Sequence, residues 1–73
     1  MTEENTLGMH PSVAALLKFF TYEHLPEHLQ AISQPVYQLA QAMAHSLPQN
    51  AELTTGLRKL LEAKDCFVRA RLP

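Results

Sequence analysis

Seventy-three residues make one small domain, and a chain of this size buries only about 60% of the surface its unfolded form exposes. Stability then calls for a disulfide, a metal or a partner subunit. The single cysteine, Cys66, excludes an intrachain disulfide; one Cys and four His without finger-like spacing supply no zinc site, and two glycines are too few for a phosphate-cradling loop.

The net charge of −1 hides an uneven distribution. Residues 1–57 carry one cation, Lys18, against five glutamates, a balance of −4. Residues 58–73 carry Arg58, Lys59, Lys64, Arg69 and Arg71 against Glu62 and Asp65, a balance of +3. So little positive charge argues against duplex nucleic acid, whose affinity scales with the phosphates neutralised. A few focused cations still suit a small anion. No apolar run approaches 18 residues and the first residues are acidic. The expectation is a soluble, cytoplasmic chain with neither a membrane span nor a secretory leader.

In chain order, residues 1–9 are polar and aperiodic and predict a flexible N-terminus, with a single helical hairpin domain over residues 10–73. His10-Pro11-Ser12 opens a short helix over Val13 to Phe20, Pro11 taking the first helical position. Phe19-Phe20-Thr21-Tyr22, β-branched and aromatic, predicts an extended connection. Leu25-Pro26-Glu27 reads as the next helix start, proline followed by an acid in the first turn. From there Leu29, Ile32, Val36, Leu39, Met43 and Leu47 recur at helical spacing. Pro35 interrupts the run, yet the stripe stays in phase across it, predicting one kinked helix. Leu47-Pro48-Gln49-Asn50 is the clearest break, and Asn50 or Thr54 caps a last helix from Ala51 to Arg71. Leu53, Leu57, Leu60, Leu61, Phe67 and Val68 share about 120° of its surface. Gly56 flanks them and permits close approach of a neighbour.

The predicted fold is all-α: an antiparallel αα-hairpin with a short N-terminal helix, completed by homo-oligomerisation. Two amphipathic helices cover one side of each other only, and a second copy is the simplest source of more surface.

Few side chains suggest chemistry. Cys66 reads as a buried, inert thiol beside the apolar arc. His24 and His28 lack a third metal ligand, and no metal or cofactor is expected. Glu62 and Asp65 fall four residues from Arg58 and Arg69, the pattern of an exposed salt ladder. With no catalytic constellation, an enzyme is not expected. Lys64 points near the middle of the last helix's apolar stripe, with Arg71 in the same direction. Two readings stand: the stem snorkels and the amine reaches water, or these cations line a site formed where subunits meet. Tyr22, beside Glu23 and His24 in a loop, is either partly exposed packing or a platform for a nucleobase near another chain's cations.

The run Phe20-Thr21-Tyr22-Glu23-His24-Leu25-Pro26, the long helix, Leu47-Pro48, and Glu52-x-Thr54-x-Gly56-x-x-Lys59-Leu60-x-Glu62-Ala63 together resemble a known pattern. It is that of the phage anti-CBASS sponge family, over roughly residues 20–71. The resemblance implies helical hairpins assembled as compact homo-oligomers, commonly hexamers. These sequester cyclic di- or trinucleotides between subunits, without cleaving them, in the cytoplasm of an infected bacterial cell. It further implies base stacking by Tyr22 and phosphate contacts by Arg69 or Arg71. The family's mid-helix cation has no counterpart in Gln34-Pro35-Val36-Tyr37, and Gly56 replaces the usual alanine. The candidate ligand-binding residues are therefore Tyr22, Lys64, Arg69 and Arg71. The alternative is a helical-hairpin interaction module that inhibits a host defence protein.

Overall fold

In the computed structural model, which describes residues 8–73, His10 and Pro11 open the first helix, α1 (Pro11–Leu17). Most of the flexible N-terminus expected over residues 1–9 lies outside the described residues, while Met9 is half-buried against the core. Pro11 loses nothing at the helix start, where its absent N–H would have no partner. The His10 ring caps the helix, its Nδ1 accepting from the Ser12 N–H at 3.1 Å.

Lys18–Phe20 continues α1 as a 3₁₀ turn, so the helical segment ends at Phe20 as expected, while the extended connection expected over Phe19–Tyr22 begins only at Thr21. Tertiary burial overrides strand propensity here. The tighter turn carries Phe20 into the core at 0% exposure and leaves Phe19 outside at 62%. Extended backbone begins at Thr21, whose hydroxyl donates to the Lys18 carbonyl at 3.2 Å.

Helix α2 (Glu27–Ser46) starts after Pro26, with Glu27 favourably placed at its positive end. It runs unbroken through Pro35, as the phase of the stripe predicted. Proline supplies no N–H, so the Ala31 carbonyl lacks its usual donor. Helix α3 (Ala51–Arg71) has the predicted bounds, and the Asn50 side chain accepts from the Leu53 N–H at 3.0 Å. The fold is all-helical.

The core joins all three helices: Val13, Leu17 and Phe20 meet Ala40 and Ala44 of α2 and Leu53 and Leu57 of α3. Burying each large side chain contributes about 1.5–3 kcal/mol. Polar ties fix the assembly of elements. The His10 N–H donates to Gln49 Oε1 and Gln49 Nε2 to the Ala44 carbonyl, both at 2.9 Å, and the Ser12 and Thr54 hydroxyls bond at 3.1 Å.

The apolar stripe of α2 is its buried face only in part: Leu29 is buried and Val36 packs against the core, but from the middle of the helix onward Ala40 and Ala44, about a quarter turn away, are buried in place of the large aliphatics, as is Ser33. Small side chains at 40 and 44 admit Phe20 and Leu57, both fully or nearly fully buried, and Leu39, Met43 and Leu47 are left 47%, 36% and 46% exposed. On α3, Leu53 and Leu57 are buried, but Phe67, expected in the same arc, is 53% exposed. The Ser33 hydroxyl is fully buried without a hydrogen-bond partner, a cost of about 1–3 kcal/mol.

Two apolar grooves remain along α2 and α3. One, of about 470 Å³, lies between Leu39, Met43 and Leu47 and the Leu53–Leu60 stretch of α3. The other, of about 520 Å³, lies between Ala31, Ile32 and Pro35 and the residues Phe67, Ala70 and Arg71. Among the described residues, no helix is long and apolar enough to cross a membrane.

Candidate functional site

Three of the six cations of the chain line one cleft. A cleft of about 330 Å³ opens between the 3₁₀ turn with its following loop and the C-terminal half of α3. Lys18, Phe19, Thr21, His24 and Leu25 form one wall, and Lys64, Asp65, Val68 and Arg69 the other. Counting histidine as neutral, three cations and one acid leave the cleft at +2, in a chain whose net charge is −1.

Each charged group is held differently. The Lys64 side chain is only 13% exposed, its ammonium 3.2 Å from the Asp65 carboxylate. Lys64 lines the cleft with most of its side chain covered. The pair is exposed on the Asp65 side, and such pairs contribute at most about 1 kcal/mol, so a phosphate can displace the carboxylate. Arg69 donates one N–H from Nη2 to Cys66 Sγ at 3.3 Å. That leaves the rest of its five-donor fork for an anion.

The loop that carries Thr21, His24 and Leu25 is pinned by α2. Gln30 Nε2 donates to the Leu25 carbonyl at 2.8 Å and to the Glu23 carbonyl at 3.3 Å. Tyr22, between the wall residues Thr21 and His24, is half-buried. Its ring meets Tyr37 edge-on, with centroids 5.2 Å apart and planes at 61°, a favoured aromatic geometry.

Of the four sequence-derived site residues, the structure thus brings Lys64 and Arg69 into one cleft. Tyr22 sits in the loop that borders it, outside its walls, and Arg71 lies elsewhere, in the groove with Phe67. Sequence reasoning missed Lys18 and Gln30. The available signal for Lys18 was that it is the sole cation among residues 1–57. Gln30 gave none, because its role depends on how the loop folds back over α2.

Two further expectations are corrected. Cys66 is exposed rather than buried, because it faces away from the core side of α3. The ladder of Arg58 with Glu62 and Asp65 with Arg69 does not form: among the described residues the ion pair is Lys64–Asp65, the cleft drawing Asp65 to the less exposed cation. Among the described residues, no group of three or more His, Cys, Asp or Glu side chains comes together to hold a metal ion.

Comparison with protein families, with curated proteins and with solved structures yields no match.

Proposed function

We propose that the chain is an αα-hairpin unit that assembles with copies of itself and binds a cyclic oligonucleotide, a di- or trinucleotide, without cleaving it. In this reading it withdraws a phage-defence signal from the cytoplasm of an infected bacterial cell. The observation that carries the reading is the convergence of Lys18, Lys64 and Arg69 from two elements on one cleft. Two ammonium groups and a guanidinium, with only Asp65 opposing them, match closely spaced phosphates: Arg69 grips two oxygens at once and the lysines act as point charges. Lys18 supplies from the first helical segment the cation that the Gln34–Tyr37 stretch of α2 lacks. Tyr22, in the loop that borders the cleft, would stack a base attached to such a phosphate. The cleft contributes recognition and no reacting group.

The test is thermal unfolding of the purified chain with a panel of cyclic di- and trinucleotides. A ligand present at a hundredfold excess over its Kd adds about 2.7 kcal/mol, which raises Tm by about 10 °C or more in a domain this small. The ligand should be recovered intact after denaturation. No shift with any member of the panel, or recovery of hydrolysed product, removes the reading.

A further inference from the structure

The two apolar grooves form one face. On α3, Gly56, Leu60, Ala63 and Phe67 follow one another at spacings of four, three and four, a single stripe along the helix. On α2, Ile32, Leu39 and Met43, seven and four residues apart, also share one stripe. Helix α1 covers the other side: Ser12 bonds to Thr54, and Thr54 lies about 160° around α3 from Gly56. The uncovered face is therefore opposite α1 and runs the full length of α3. Nothing lies within 4 Å of where a Gly56 Cβ would stand. The charged residues lining the two grooves are Glu52 at one end and Arg71 at the other.

We infer that this face is a two-fold interface with a second copy of the chain, pairing α2 and α3 of each copy as a four-helix layer with both α1 helices outside. Two features select a second copy as the occupant. The first is charge. Glu52 is in the first turn of α3 and Arg71 in its last. When two α3 helices cross a two-fold axis in opposite directions, Glu52 of each copy meets Arg71 of the other, so both ends of the face are satisfied at once. The antiparallel helix dipoles add to the same preference. The second feature is area. A 21-residue helix is about 30 Å long, and a neighbouring helix 8–10 Å away makes the face about 18–20 Å wide. Docking covers about 500–600 Å² on each copy, about 1,000–1,200 Å² in total, which meets the roughly 1,000 Å² that a biological interface needs. In this register Gly56 of each copy faces Phe67 of the other and gives it room to approach, and Arg71 is occupied by assembly rather than by a phosphate.

This inference deepens the self-assembly in the function proposed above and is independent of the ligand. A dimer that binds no cyclic nucleotide leaves the interface standing and removes the ligand reading; nucleotide binding by a monomer does the reverse.

Sedimentation equilibrium on the full chain tests it with four variants. Phe67→Glu, at a side chain half outside the fold, should abolish self-association while helical circular dichroism is retained. Glu52→Arg and Arg71→Glu should each weaken it about tenfold or more, by placing like charges at both ends. The double variant Glu52→Arg/Arg71→Glu should restore association to within about threefold of the unsubstituted chain. Recovery in the double variant is the supporting result. Loss in the double variant equal to the two single losses combined, wild-type association by Phe67→Glu, or a monomeric wild-type chain whose face takes a different protein overturns it.

Discussion

Replacing Phe20 with alanine should leave the chain largely unfolded at 25 °C. Phe20 is fully buried and is the largest side chain at the junction of the first helical segment with Ala40, Ala44, Leu53 and Leu57. Removing a buried phenyl ring costs about 3–5 kcal/mol, the lost transfer energy plus that of the cavity. A core of this size supplies about 3–5 kcal/mol of net stability in all, so nothing remains to hold the α1 segment in place. Phe19→Ala is the matched control. The same ring is removed one position away, but it is 62% exposed, and the loss should stay below about 1 kcal/mol. Far-UV circular dichroism of the two variants, with thermal melts, separates the cases. Equal melting temperatures for Phe20→Ala and Phe19→Ala contradict the described packing.

The second large effect concerns the cleft. Substituting glutamine for both Lys64 and Arg69 should weaken binding of a cyclic oligonucleotide by a factor of about 10² to 10⁴. Each charge-assisted hydrogen bond contributes about 1.5–3 kcal/mol, and every 1.4 kcal/mol is tenfold in affinity. Glutamine keeps most of the Lys64 stem against the fold, which matters because that side chain is only 13% exposed. The melting temperature of the ligand-free variant should therefore change little. Affinity of the unsubstituted chain should also fall as salt rises, since the attraction is between partly exposed charges. Titration calorimetry reads both. A double variant that binds within threefold of the unsubstituted chain shows that the phosphates are held elsewhere.

The ends of α2 and α3 were legible because their signals are local. Pro26 with Glu27, Pro48 and the Asn50 cap each act within a few residues, and α3 has the bounds that they predicted. Which face each helix buries was less legible. The large aliphatics of α2 mark an apolar stripe, yet Ala40 and Ala44 make the closest contacts, because a small side chain is what lets Phe20 and Leu57 approach. Hydrophobicity alone does not distinguish a surface that packs within the chain from one that waits for another copy. The start of the extended connection was misplaced by two residues for the same reason: strand propensity is a local average, and the 3₁₀ turn is set by where Phe20 must go. Half of the candidate site was visible, since Lys64 and Arg69 stand five residues apart on one helix. Lys18 joins them only through the packing of the first helical segment on α3, and Arg71 separates from Arg69 because two residues along a helix turn a side chain to another face.

The central claim is that this three-helix unit is incomplete alone, with one long apolar face that another copy covers. Sedimentation velocity of the unsubstituted chain at micromolar concentrations tests it most directly. The expected result is a fully helical species at twice the 8.2 kDa chain mass or a higher multiple. A stable, fully helical species of 8.2 kDa across that range contradicts it.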